Sequence, residues 1–314
     1  MSQEAEMRLK QGTIVLFAYL FVPIFCVYSV WVSSPAWTEG WWQTLLLMDG
    51  VVAFLFVVGG NWSWVGYPLR WFFPVALAIA AYHSAGWAGL GLSAGTLALF
   101  VGGSLLAIRA SAPKQEAIRL SFPLEDGLYY VAQGGQLGVL NHHHGAKAQR
   151  FALDIVRLNG WLTRCQGIYS PDVRRYSIFG TEVHSPCDGI VVEAVNDLPD
   201  LAPPTRDPWN AGGNHIIIRN EETDVYVKLS HLARGSVVVN EGDRLRAGQL
   251  VGRVGNSGNT TEPHLHIHAQ RGWFEDSPQS GEGVPMLFEG RFLLRNDLVR
   301  RRKARAGMAP GASP

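Results

Sequence analysis

Hydrophobic and polar positions divide this 314-residue chain into two unlike parts. Up to about residue 110 the pattern is one of long apolar runs, at residues 14–32, 44–60, 71–85 and 89–108. The only acidic or basic side chains from Gln11 to Ile108 are Glu39, Asp49 and Arg70. The first run is close to the ~20 apolar residues needed to cross a bilayer core. It is longer than the apolar centre of a signal peptide and has no small-residue cleavage site, which predicts a retained span. Together the runs predict an α-helical transmembrane bundle of three or four spans over residues 11–109, after an N-terminal tail of residues 1–10.

Beyond residue 110 the apolar positions come in short β-branched and aromatic runs, at residues 128–131, 190–192, 215–218, 225–229 and 250–254, bounded by Gly, Asn, Asp and Pro. That pattern predicts strands, and residues 220–224 predict a hairpin loop between two of them. No long stripe of helical period competes with them. The expectation is a linker over residues 110–124 and a mostly β domain over residues 125–295. Residues 296–314 are Arg-rich and then Ala, Gly, Ser and Pro, and they predict a basic, disordered tail.

Composition sharpens this division. Eight of the eleven tryptophans fall in the first part, near the ends of its apolar runs, where an amphipathic ring suits a membrane interface. Lys and Arg number 27 against 26 Asp and Glu, a balance that gives no footprint for nucleic acid. Arg8 and Lys10 before the runs and Arg109 and Lys114 after them both carry the positive charge typical of cytoplasmic flanks. Long domains, however, translocate largely regardless of charge. Asp49, inside the second run, is expected to lie at a helix end or in an inter-helix hydrogen bond, and His83 at a helix end. Cys26 is expected to be a small apolar packer. Cys165 and Cys187 would have to bring their Cα atoms within ~7 Å to pair, which spacing alone does not establish.

The candidate chemistry is concentrated in the second part, where nine of the ten histidines lie. A catalytic zinc site takes three protein ligands of nitrogen, sulfur or oxygen and leaves a position open for water. The chain offers His142-His143-His144, Asp154, His231 and His264-Leu265-His266-Ile267-His268. On a strand, alternate residues share a face, so His264, His266 and His268 can project together. Glu262 has no His-Glu-x-x-His helix around it, and Pro263 biases it towards an extended loop, which argues against a catalytic glutamate. His184, His215 and His268 are expected to be structural or rim residues.

These residues sit in ordered motifs. Ser185-Pro186-Cys187-Asp188-Gly189-Ile190-Val191, Gly213-Asn214-His215-Ile216-Ile217-Ile218 and Leu229-Ser230-His231-Leu232 come first. Gly242-Asp243, Ala247-Gly248-Gln249, the glycine-rich run from Gly252 to Gly258 and Pro263-His264-Leu265-His266 then follow. The set, from about Asn141 to Gln270, resembles the lysostaphin- and LytM-type zinc metalloendopeptidases. The resemblance implies a mostly antiparallel β peptidase domain that cuts the peptide part of bacterial cell-wall peptidoglycan. It implies one Zn2+ per chain, held by a histidine, Asp154 and His266, with His231 and His264 as the catalytic pair beside it. The commoner pattern has its first histidine four residues before the aspartate, where this chain has Arg150, which cannot ligate zinc. The arrangement here is similar to a multi-pass membrane-anchored branch with that histidine further upstream. His143 is the expected ligand, with His142 and His144 as alternatives.

The expected location is the bacterial cytoplasmic membrane, with the peptidase domain on the periplasmic or extracellular side, facing its peptidoglycan substrate. Protein partners are not readable. Two other functions fit the same motifs: an inactive LytM-like domain that binds and activates other wall hydrolases, and a zinc peptidase acting on proteins.

Overall fold

Helices form in the first part because apolar residues cover every face and leave the backbone to satisfy its own polar groups. The structure, a computed structural model, describes residues 21–32, 40–54, 59–64, 66–110, 113, 116–272 and 281–302. It divides into two units, residues 1–112 and 113–314.

The first unit contains α1 (Phe21–Val32), α2 (Trp41–Val52) and α3 (Phe72–Ala110). Helical geometry is broken inside α3 at Ala85 and Gly86, where the sequence divides the third apolar run from the fourth. A Cβ on Gly89 would lie 2.1 Å from the Ala81 carbonyl oxygen, so the chain turns sharply back there and only glycine fits. Phe73, Leu77, Ala80 and Ala81 form one buried stripe of α3 and pack with Leu45 and Val52 of α2 and Cys26 and Val30 of α1. Asp49 is buried and accepts hydrogen bonds from Ser93 Oγ at 2.8 Å and from Thr96 Oγ1, an inter-helix link between α2 and α3. His83 stacks on Trp31 with ring centroids 4.0 Å apart. Trp62 is buried in the same cluster.

Outside that stripe the helices remain apolar, with Val75, Ile79, Leu99 and Leu106 exposed. Among the described residues one helix, Tyr67–Arg109, with mean hydropathy 1.8, is long and apolar enough to cross a membrane. Residues 14–20 of the first expected span and 55–58 of the second lie outside the described residues, as does the N-terminal tail.

In the second unit, alternation of apolar and polar positions builds a mostly antiparallel β domain. Its strands are β1 (Ile118–Leu120), β2 (Gly127–Gln133), β3 (Leu153–Leu158), β4 (Glu182–His184), β5 (Gly189–Val195), β6 (Asn214–Asn220) and β7 (Val225–Leu232). They continue with β8 (Arg244–Leu245), β9 (Leu250–Arg253), β10 (Leu265–Arg271), β11 (Glu282–Val284), β12 (Met286–Phe288), β13 (Arg291–Phe292) and β14 (Leu298–Arg301). The main sheet runs β14-β2-β3-β10-β7-β6-β5-β8, with β11 also on β10, and every ladder in it is antiparallel. The expected hairpin joins β6 to β7, where Asn220 Oδ1 accepts from the Thr223 backbone at 3.0 Å.

One face of this sheet is apolar: Ile155, Ile216, Ile218, Val227, Leu229, Leu265 and Ile267 share a buried core. Each such side chain contributes about 1.5–3 kcal/mol by leaving water. The alternate residues of the same strands, among them Asp154, His266, His268 and Lys228, therefore face the other way.

Two segments are more ordered than their composition suggests. Ile118 and Leu120, in the expected linker, are buried as β1 pairs in parallel with β12. Residues 298–301, at the start of the expected disordered tail, form β14 against β2. An edge strand is held by backbone hydrogen bonds, which an Arg-rich segment can make as well as any other, and Arg301 Nη1 also reaches Glu289 at 2.8 Å. Residues 303–314 lie outside the described residues. Cys26, Cys165 and Cys187 are all free and buried.

Candidate metal centre and its histidines

Strand register brings the first two of these groups together. His266 on β10 is the cross-strand partner of Asp154 on β3, on the face opposite the apolar core. Its Nδ1 lies 2.9 Å from Asp154 Oδ1. The third group arrives by a loop: His143, in a 3-10 turn at His142–Gly145, places Nε2 at 3.1 and 3.0 Å from the two Asp154 oxygens. Buried Asn141 aims that turn. Its Oδ1 accepts from His143 N at 3.1 Å, and its Nδ2 donates to Gly135 O at 2.9 Å and Ala152 O at 3.0 Å. The sequence reading passed over Asn141, although an Asn immediately before a helical turn is itself a capping signal.

The three candidates for first ligand are thus separated. His142 stacks on His143 with centroids 3.9 Å apart and is exposed. Mutual spacing alone would group His142 with His143 and Asp154, all within 4.8 Å. His266 is the better third member, because it is buried and in direct contact with the carboxylate. Among the described residues His144 makes no contact with Asp154, and its Nδ1 is buried without a partner.

His231 and His264 flank this group, their ring centroids 4.8 Å apart. His231 Nδ1 donates to the Ser257 carbonyl at 2.9 Å, which leaves Nε2 with its lone pair. Its backbone has φ 64°, an unusual conformation for a side-chain-bearing residue, at a position where β7 carries a functional group. His264 Nδ1 donates to the Glu262 carbonyl at 2.9 Å and lies 3.1 Å from Thr260 Oγ1, while its Nε2 lies 3.5 Å from Asp154 Oδ1. Glu262 itself is paired with buried Arg164, whose Nε donates to Oε2 at 2.8 Å. That pair ties the loop bearing His264 to the β3–β4 connection, and neither partner was singled out as such from sequence.

Electrostatics follow from burial and from this one carboxylate. Burial pushes His231 well below the ordinary histidine range, and His266 down to about 4. His264 is half-buried, which acts to lower its pKa, but Asp154 and the Glu262 carbonyl carry it upward. Burial opposes the charge on Asp154, yet His143 and His264 hold its carboxyl well below the ordinary carboxylate range. His268, expected to be a structural or rim residue, is buried and lies with Nδ1 2.9 Å from His266 Nε2.

Two imidazoles and one carboxylate are a donor set suited to zinc. Tetrahedral bonds of ~2.0–2.1 Å place ligand atoms roughly 3.3 Å apart. His143 Nε2 and His266 Nδ1, at 2.9–3.1 Å from Asp154, stand close to that spacing from the carboxylate they share.

Residues 175–278 match the model of Peptidase family M23. The C-terminal unit carries an M23 peptidase domain of the lysostaphin/LytM type. The M23 match spans His231, His264 and His266, while His143 and Asp154 lie upstream of it. The glycyl-glycine endopeptidase ALE-1 of Staphylococcus capitis is 34% identical over 100 residues, 31% of this chain and 24% of its own. The peptidoglycan DD-endopeptidase ShyA of Vibrio cholerae is 32% identical over 87 residues, 28% of this chain and 17% of its own. The chain thus spans a quarter or less of the length of these relatives. Among solved structures, the catalytic domain of lysostaphin from Staphylococcus simulans is 21% identical with TM-score 0.28, covering 50% of this chain and 88% of that one.

Proposed function

We propose that this chain is a zinc-dependent endopeptidase cutting peptide bonds of cell-wall peptidoglycan, anchored to the membrane by its N-terminal helices. The observation that carries the reading is the meeting of His143, Asp154 and His266 within hydrogen-bond distance, with His231 and His264 beside them. Those three residues would hold the metal. Bound there, zinc lowers the pKa of a coordinated water to ~7 and polarises the scissile carbonyl. His231 and His264 are each held through Nδ1 by a backbone carbonyl and keep Nε2 for chemistry. Between them they take the proton of the attacking water and stabilise the developing oxyanion. The substrate class follows the endopeptidases named among the relatives.

An inactive, partner-activating role is disfavoured by the reach of His143 to Asp154, which supplies the histidine missing at Arg150. The test is purified full-length protein in detergent: one zinc per chain, lost in His266→Ala, with cleavage of peptidoglycan peptides abolished in His231→Ala. Metal-free protein without hydrolytic activity would sink the reading.

The apolar outer faces of the helical unit support a membrane anchor, read as three or four spans, and a wall substrate requires the peptidase domain outside the cytoplasm. The native cysteines are buried and Trp209 is 95% exposed. Trp209→Cys should therefore react with a membrane-impermeant maleimide in cells whose cytoplasmic membrane is intact. Labelling only after lysis would put the domain inside and exclude a wall substrate.

A further inference from the structure

Beyond the candidate centre, the same face of the sheet carries a second row of polar residues that the chemistry above does not use. Lys228 on β7 is the cross-strand partner of His268 on β10, and Ser230 that of His266. The lysine is therefore the diagonal cross-strand neighbour of His266, roughly 7–8 Å from it. Its row continues through Ile217 on β6 to Glu193 on β5.

Lys228 is only partly exposed, and burial lowers its pKa from the ordinary lysine value, opposed by Glu193. Glu193 is engaged elsewhere, its Oε1 lying 3.1 Å from His215 Nε2. Among the described residues, Lys228 Nζ makes no ion pair with a carboxylate. A Cβ on Gly212 would come within 3.0 Å of Nζ and 3.2 Å of His215 Nδ1, so the loop before β6 passes the ammonium closely and a glycine leaves it open. The result is a partly desolvated cation, beside the reacting centre, that shares the field of Glu193 with His215 and makes no ion pair of its own. Such a group gains most from an incoming carboxylate, which restores the interactions burial removed.

We propose that Lys228 is a specificity residue that binds a carboxylate of the substrate peptide close to the cleaved bond. The inference rests on the peptidase reading and narrows its substrate class. An extended peptide spans at most ~3.3–3.6 Å per residue, so the carboxylate lies within about two residues of the bond cut. Cross-links whose flanking residues carry a free carboxylate fit this, whereas bridges made of glycine alone do not.

The test pairs two synthetic peptides: one with a free carboxylate on the residue next to the cleaved bond, and the same peptide with that group as carboxamide. Their affinities for the full-length, chelator-treated protein are measured by calorimetry, and their kcat/KM for the zinc-loaded protein is measured beside them. The wild-type chain should prefer the carboxylate by roughly 10-fold or more in both measurements. Lys228→Met, which keeps the aliphatic stem, should bring the ratio close to one, and Lys228→Arg should restore it. Equal handling of the two peptides by the wild-type chain, or an unchanged ratio in Lys228→Met, overturns the proposal. Charge-selective binding without any cleavage would leave Lys228 in place and overturn the peptidase reading instead.

Discussion

His143 Nε2 lies 3.0 Å from Asp154 Oδ2, eleven residues further along the chain. The link depends on Asn141, whose side chain caps the His143 turn and ties it to the Gly135 and Ala152 carbonyls. Asn141→Ala should lower zinc affinity by about 10–100-fold, as loss of groups that orient a ligand does. It should also cost about 1–3 kcal/mol of stability through buried carbonyls left unpaired. His142→Ala should leave zinc affinity close to that of the parent, and His143→Ala should abolish tight binding. Competition with a chromophoric chelator reads all three, and equal losses for His142 and His143 would reassign the ligand.

His268 Nδ1 sits against His266 Nε2 on the side away from Asp154. It is thereby placed to orient the His266 ring. Replacement by Leu should weaken zinc binding roughly 10-fold or more, while His268→Asn, which keeps a polar atom near the Nδ1 position, should retain most of it. Equal affinity for the Leu and Asn variants would limit His268 to a packing role.

Arg164 and Glu262 form a buried pair, with side-chain exposures of 1% and 14%. Removing one partner of such a pair costs about 3–5 kcal/mol, because the other charge stays buried. Arg164→Met should lower the thermal midpoint markedly and reduce kcat through displacement of the His264 loop. The double variant with Glu262→Met should recover much of the stability. A double variant no more stable than the single one would show that Glu262 tolerates losing its partner.

Burial pushes the Cys187 thiol up to about 12 from its ordinary 9. At pH 8 the thiolate fraction is then on the order of 10⁻⁴, so iodoacetamide should modify Cys187 only after unfolding. The folded state holds its proton more tightly than the unfolded chain. The stability tied to this group is therefore complete below pH 9 and declines as pH rises from 9 towards 12. Rapid alkylation of the native protein, followed by peptide mass mapping, would contradict the burial.

Much of this architecture is legible without coordinates. The apolar runs separate a helical unit from a β unit because solvent preference is a property of each residue. The alternation of β10, Leu265, Ile267 and Ala269 against His266, His268 and Gln270, places the histidines on one face by geometry alone. The same local reasoning misjudged residues 298–301, whose order comes from pairing with a strand some 170 residues earlier in the chain.

By itself, then, the sequence determined the division into two units, the β character of the second, the ordered motifs of an M23 peptidase and a shared face for His266 and His268. Tertiary structure alone decided which of three adjacent histidines meets Asp154, that His268 touches His266, and that Arg164 holds Glu262. It also decided that Lys228 stands one row from the centre with Glu193 engaged by His215. The physical reason is that periodicity and composition act between neighbours in sequence. A cluster of polar side chains, by contrast, is assembled by strand register and loop closure between residues more than a hundred positions apart, as His266 and Asp154 are.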